Sequence, residues 1–393
     1  MTQTYNDPKG GTASDVGSQI RTDYYAKKAL VEAAKEQYFG QLADVTAMPK
    51  NMGKTIKRFH YMPILDARNV NGQGLDAAGA SYAGGNLYGS SKDVGTISAK
   101  IPALTEAGGR VNRVGMKRLE LEGTIEKFGF FDEYSQESLD FDTDSELLQH
   151  LTTESVKAAN EITEDQLQID LLNGAGVVRF AGVATSPGTL SGETGGVTAV
   201  DYDDLVKLSI ELNNNRTPKQ TKVITGSRMV DTKVVNAARV LYIGSELIPA
   251  IMKMTDYHGN KAFIPVAQYA QAGSVIRGEI GSVDSFRIVE VPEMMKWAGV
   301  GATVTAADAG YHSTGSNYDV FPMMVVGEGA FTTVGFQTDG KTVKFKIKHV
   351  RPSENHSSAD PYGETGFYSI KWYYGTMILR AERLAVLKTV ALI

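Results

Sequence analysis

His349, Glu354, His356 and Asp360 form the densest group of metal-ligating side chains in the sequence. Imidazole and carboxylate together suit a divalent transition metal. Pro352 and Pro361 frame the group as a solvated turn, however, and the histidines at 60, 150, 258, 312, 349 and 356 never take the HExxH spacing of a zinc protease. Asp140, Asp142 and Asp144 have the alternating spacing that opens a calcium loop. Its sixth position is Ser145 where glycine is needed, and its twelfth is Leu151 where glutamate is needed. Helix capping is the better reading. Gly72-Gln73-Gly74-Leu75-Asp76-Ala77 has the glycines of a dinucleotide turn, but the strand before it is weak and no apolar helix follows, so a flexible hairpin fits better. There is no GxSxG elbow or SxxK motif, and serines this abundant define no triad. With no cysteine in the chain, disulfides, thiolate chemistry and cysteine zinc sites are excluded. No catalytic residue, cofactor site or metal site is therefore assigned. What remains is charge and aromatic surface: Lys54, Lys57 and Arg58; Arg110, Arg113, Lys117 and Arg118; and the run Phe128, Phe130, Phe131, Tyr134. That run reads as core or interface in preference to a base-stacking platform.

The element that must position these groups is the stretch from Asp142 to Asn173, read as one unbroken helix. Thr143 and Glu146 have capping-box spacing, and Asp142, Asp144 and Glu146 suit the positive end of the dipole. Leu148, Leu151, Ser155, Ala158, Ile162, Gln166, Ile169 and Leu172 recur as a narrow stripe. Asn173-Gly174 is the stop. Such a helix is about 45 Å long, a spine with lobes at its two ends.

A chain of 393 residues has room for two or three domains, and 42% hydrophobic content is ordinary for a folded soluble protein. A formal charge of −5 gives no global attraction to nucleic acid or anionic membrane. The N-terminal stretch is polar, without the apolar core of a signal peptide, and eighteen apolar residues nowhere run together, so folding in a cytosol and no membrane partner are expected.

Residues 1–13 read as a mobile arm. Ser14-Asp15 opens a helical pattern through Ile20, Tyr24, Leu30, Ala34 and Tyr38, and residues 54–61 alternate as a strand. From Met62 to about Asn112 many glycines and few large apolar residues predict a long, loosely built hairpin projecting from the body, with pieces such as Asp93–Ser98 alternating. Residues 110–113 and 119–125 return as strands. Val177 to Gly196 is expected to be a linker. A second lobe starts with a helix from Asp201 closed by Asn213-Asn214-Asn215, then a strand at 222–225, then a helix capped by Gly226-Ser227 and running through Val234, Ala238 and Leu241. Alternating segments follow at 263–269, 275–280 and 287–291, a loop over 298–318, and strands at 319–326, 343–347, 366–381 and 383–392. Helix and strand without a βαβ rhythm predict an α+β fold.

Ile101-Pro102-Ala103-Leu104-Thr105-Glu106, the run Gly123 to Phe131 with Tyr134 and Glu137, Gly278-Glu279-Ile280-Gly281 with Phe286-Arg287, and Tyr373-Tyr374-Gly375 before Glu382-Arg383 resemble the major capsid proteins of tailed bacteriophages, in the branch typified by the N-four podoviruses. The resemblance covers most of the chain. It implies the Hong Kong 97 fold: an N-terminal arm with a helix (1–45), a peripheral-domain strand (46–61), an extended E-loop hairpin (62–125), a peripheral domain with the spine helix 142–173 (126–196), an axial domain (197–335) and peripheral return strands (336–393). It also implies self-assembly into hexamers and pentamers of an icosahedral head enclosing double-stranded DNA. The homo-oligomer would form in the host cytoplasm and reside in the virion, alongside scaffolding, portal and decoration proteins and with DNA in non-specific proximity. Subunit-interface candidates are Lys54, Lys57, Arg58, Glu106, Arg110, Arg113, Lys117, Arg118, Asp140, Asp142 and Asp144, the basic clusters pairing with acidic patches of a neighbour such as the three aspartates; phosphate contact is the other reading of the basic clusters. Some relatives join subunits by lysine–asparagine isopeptide bonds, but Lys92 and Lys100 lie in no matching motif. The rival readings are another phage structural or decoration protein, and a soluble enzyme with an unrecognised site.

Overall fold

The computed structural model describes residues 2–5, 14–18, 38–39, 43–48, 53–61, 94–99, 118–137, 147–225, 231–268, 275–276, 278–305, 310–338, 341–342, 345–354 and 361–393. Its centre is an eight-stranded mixed sheet. In spatial order the strands are Ile264–Pro265, Glu279–Val283, Phe286–Glu290, Asp231–Ile243, Phe321–Val326, Leu384–Thr389 and Val177–Phe180, with Gln220–Thr225 pairing on the first half of Asp231–Ile243. Phe286–Glu290 runs parallel to the second half of that strand, and Val177–Phe180 parallel to Leu384–Thr389.

Both faces of this sheet are buried, and the two-residue period of a strand sorts its side chains. Leu241, Ile243, Met323, Val325, Ala385 and Leu387 meet Leu205, Leu208 and Leu212 of the Tyr202–Asn214 helix and Ile251 of the short Ile248–Lys253 helix. Val240, Tyr242, Met324, Val326, Leu384 and Val386 fill the opposite face. Against them pack Ala159, Leu167 and Leu171 of the Leu147–Asn173 helix and the aromatic face of the Thr365–Tyr374 strand. A strand buried on both faces reads as a continuous apolar run. The segment expected to be a helix through Val234, Ala238 and Leu241 is instead the Asp231–Ile243 strand, whose second half, Val240 to Ile243, is buried on both faces.

The 202–214 helix forms as its sequence dictates. Asp201 accepts from the Asp204 backbone N–H at 3.0 Å, and the Asp204 carboxylate accepts from the Asp201 N–H at 3.3 Å. It ends where Arg216 takes a left-handed φ of 53° and Thr217 N–H reaches back to Leu212 O at 3.0 Å.

The long helix ends at Asn173, as its sequence predicts; residues 142–146, with the expected cap, lie outside the described residues. Its buried side differs from the expected stripe. Ala159, Leu167, Gln168 and Leu171 are buried, whereas Ile162 and Ile169 are 43% and 40% exposed. Spacing alone allowed either side to face the core; polar groups on the inward side decide it by finding partners. Thr163 Oγ1 donates to Ala159 O at 2.7 Å, Glu164 Oε1 accepts from the Tyr38 and Phe39 backbone N–H groups, both at 2.8 Å, and Asp170 Oδ2 accepts from Tyr374 Oη at 2.9 Å and Thr376 Oγ1 at 2.7 Å. Burial, with Asp170 beside it, pushes the Tyr374 phenol far above its ordinary value. Asp170→Ala leaves two hydroxyls without their charged acceptor and should cost about 1.5–3 kcal/mol, read as a lowered urea midpoint. Asp170→Asn, which keeps an acceptor oxygen, should lose less.

Smaller sheets surround this body. Phe345–Val350, Thr365–Tyr374 and Glu126–Ser135 form an antiparallel three-stranded sheet; Thr376–Ile378, Phe331–Thr338 and Asp44–Met48 form another, with Lys341–Thr342 at its edge; and Thr55–Tyr61 pairs with Arg118–Thr124 as a two-stranded ribbon. The expected strand over 366–381 is broken at Gly375, where a Cβ would come within 2.7 Å of Thr124 O.

Further expectations are corrected. Ser14–Ser18 is a strand paired antiparallel with Thr2–Tyr5, not the start of a helix, and the two segments so pair with each other where a mobile arm was expected; the rest of that helical pattern, 19–37, lies outside the described residues. Val94–Ala99 is one short helix, not hairpin strand. The expected linker after the long helix begins with a core strand, Val177–Phe180, with Val177 1% exposed, and the loop over 298–318 contains the paired strands Ser313–Thr314 and Asn317–Tyr318. The segment 263–269 supplies only Ile264–Pro265 to the sheet before a 3-10 turn at Val266–Gln268.

Candidate assembly surfaces

The ribbon carries the first basic cluster. Registers Lys57↔Glu122, Phe59↔Glu120 and Tyr61↔Arg118 place these six side chains on one exposed face. Lys57 Nζ lies 2.6 Å from Glu122 Oε1 and 3.4 Å from Glu120 Oε2, and its hydrogen bond to Glu122 is the main reason its pKa is raised. The Arg118 guanidinium sits 4.0 Å over the Phe59 ring. Phe59 and Tyr61 remain 50% and 56% exposed. Lys54 is exposed at the ribbon's start and Arg58 points to the opposite side. The ribbon face thus combines two exposed aromatic rings with internally balanced charge. Glu106, Arg110, Arg113, Lys117, Asp140, Asp142 and Asp144 lie outside the described residues, as do the 72–77 turn, Lys92 and Lys100, so no pairing among them is described.

On the ribbon's inner side Ile56 packs against Ile125 and Val334. His60 is half-buried there, and burial together with Arg380 and Arg383 holds its pKa below the ordinary value. The unfolded chain therefore takes up this proton first. Stability present above about pH 6.5 is lost as pH falls through that value, and the loss levels off once folded His60 protonates. His60→Gln should flatten this part of a urea-midpoint against pH curve between about pH 7 and 5; an unchanged curve would rule the histidine out as its source.

The three-stranded sheet carries the aromatic run. Phe128 and Phe130 point inward, with ring centroids 6.1 and 6.0 Å from Trp372, while Phe131 points outward and is 66% exposed. Tyr134 stacks on His349, centroids 5.6 Å apart, and its hydroxyl hydrogen-bonds His349 Nε2. His349 of the candidate metal group is thus engaged by Tyr134. His356 and Asp360 lie outside the described residues, and no group of three or more histidine or carboxylate side chains able to hold a metal occurs among the described ones.

This mixed helix-and-sheet fold is similar to those of phage capsid proteins. The capsid of Ralstonia phage GP4 superposes with a TM-score of 0.59 at 11% identity, covering 97% of this chain and 98% of that one. The capsid of cyanophage Pam1 gives 0.54 at 10% identity, covering 95% and 97%. In sequence, the major capsid protein of Pseudomonas phage KPP21 is 58% identical over 388 residues, 98% of this chain and 97% of that protein, and the phage capsid protein family profile matches residues 118–388. The chain belongs to the phage capsid protein family. It is a structural protein of the virion shell, not an enzyme. No helix among the described residues is long and apolar enough to cross a membrane.

Proposed function

We propose that copies of this chain assemble into hexamers and pentamers of an icosahedral head that encloses double-stranded DNA. The observation that carries this is the 58% identity, along nearly the whole of both chains, with a phage major capsid protein. Closed arrays need heterologous contacts, one patch of a subunit against a different patch of its neighbour, and obligate contacts of this kind bury upward of roughly 2,000 Å². The exposed apolar side chains Phe59, Tyr61, Phe131, Ile162 and Ile169 are surface that such contacts would cover.

In this reading residues 62–125 are the E-loop that lies across an adjacent subunit, the Leu147–Asn173 helix is the spine, and residues 197–335 form the axial domain, whose sheet also takes in the Val177–Phe180 and Leu384–Thr389 strands. Lys54, Arg58, Glu106, Arg110, Arg113, Lys117 and Arg118 are interface candidates. Lys57 contributes less, because Glu120 and Glu122 already engage it. Assembly takes place in the host cytoplasm with scaffolding, portal and decoration proteins as partners. Negative-stain electron microscopy of the purified chain, alone and co-expressed with its scaffolding protein, tests this: rings, tubes or shells are expected, and monomers under both conditions would refute it. Deleting residues 70–100 should leave a folded monomer that forms no shells.

A further inference from the structure

We propose that the outward face of the three-stranded sheet docks an acidic segment of a second copy of this chain, residues 139–146. The proposal rests on the shell reading and adds which surfaces meet. Strand alternation and register place Lys346, Lys348, Lys371 and Lys127 on this face together with Phe131 and Phe367, while Tyr373 at the strand's end is covered by Ile125 and Val334. Lys346 stands directly across from Lys371; Lys348 and Lys127 are their diagonal neighbours. Lys348 Nζ lies 5.6 Å over the Phe367 ring, and Glu133 is the one carboxylate the register puts on this face. No ion pair joins any of these four lysines to another described residue. Like charges directly opposite each other destabilise a sheet, so in the isolated chain the arrangement opposes folding. An anionic partner reverses the sign of that contribution.

Two features favour a protein partner over duplex DNA. Phe131, 66% exposed among the lysines, has no apolar surface to meet on a phosphate backbone. The face also has lysine and no arginine, which lacks the planar fork suited to bidentate phosphate contact. Residues 139–146, Leu-Asp-Phe-Asp-Thr-Asp-Ser-Glu, offer the complement: a carboxylate at every second residue from Asp140 to Glu146, no base, and Leu139 and Phe141 for apolar contact.

The test uses the full-length chain and a fluorescent synthetic peptide of residues 137–147, read by anisotropy. Saturable binding is expected, weakened about tenfold or more by K346E/K371E and by asparagine at the three aspartates of the peptide, and lowered by salt. K346Q/K371Q, which keeps a polar side chain at both positions, should weaken binding by less, and its thermal melt should lie at or above that of the unaltered chain, because the like-charge pair is gone. Absence of saturable binding, or binding indifferent to both lysine variants, would overturn the proposal. So would a short DNA duplex that binds more tightly than the peptide and is released by K346E/K371E, or shells of normal form from that variant. Because peptide capture needs no shell, failure of the shell reading and failure of this contact give different results.

Discussion

Arg287→Ala lowers the stability of the folded chain by about 3–5 kcal/mol, seen as a large fall in the urea midpoint. The cause is the position of its partner. Arg287 Nε donates to Glu279 Oε1 at 2.7 Å and Nη2 to Oε2 at 2.5 Å, and the same Oε2 accepts from the Ile276 backbone N–H at 2.8 Å. The two side chains are 7% and 0% exposed. Removing the guanidinium strands a carboxylate in the interior, where water cannot replace it. Against a typical total of about 5–15 kcal/mol, such a loss is a large share. The pair also joins the adjacent Glu279–Val283 and Phe286–Glu290 strands, which turn through Asp284 at φ 51°. Replacing both members, Glu279→Leu with Arg287→Met, should recover most of the loss, since an apolar pair of similar volume needs no counter-charge. If Arg287→Ala unfolds within about 1 kcal/mol of the unaltered chain, the pair is not desolvated and the argument fails.

That pair shows how far the sequence could be read. Gly278-Glu279-Ile280-Gly281 with Phe286-Arg287 helped mark the family, yet nothing in the spacing told that Glu279 and Arg287 would face each other across a hairpin. Local signals were legible where one physical rule acts alone. The Asp201 cap, the Asn173 stop and the alternation of residues 55–61 are examples. They failed where two rules compete. Val234 to Leu241 has apolar residues at helical spacing and also β-branched residues; the pairing of the segment as strand, with Val240 to Ile243 buried on both sheet faces, is a tertiary fact that settles it. The long helix had two candidate faces, and Glu164 and Asp170 turned one inward by meeting the Tyr38–Phe39 backbone, Tyr374 and Thr376.

The candidate surfaces were legible in a different proportion. Lys57 was identified as basic, but its neutralisation by Glu120 and Glu122 depends on the register of a strand some sixty residues away in sequence. Lys344, Lys346 and Lys348 alternate in the sequence with Val343, Phe345 and Ile347, which marks one polar strand face. Their concentration into a patch was not legible, because Lys371 and Lys127 arrive on strands from distant parts of the chain. What the sequence lacks is register, and register turns scattered lysines into a surface.

Trp372→Ala has the other large expected effect, about 3–5 kcal/mol, and it tests the link between core and surface. Trp372 is 2% exposed, with Phe128, Phe130 and Phe345 ring centroids 6.1, 6.0 and 5.8 Å away. These rings come from all three strands and hold the sheet to the body, while the next residue on the same strand, Lys371, belongs to the opposite face. Its indole N–H is buried and has no partner among the described residues. Trp372→Phe therefore removes an unsatisfied donor as well as volume, and should cost only about 1 kcal/mol. Amide hydrogen exchange over 345–350 and 365–374 should accelerate in Trp372→Ala and stay near normal in Trp372→Phe. Peptide capture should fall with it in the alanine variant, because lysines on a loosened sheet no longer hold a fixed spacing. K346Q/K371Q should show the converse: weakened capture with exchange no faster than in the unaltered chain. If Trp372→Ala exchanges faster yet captures the peptide unaltered, charge alone carries the contact and the aromatic layer has no part in presenting it.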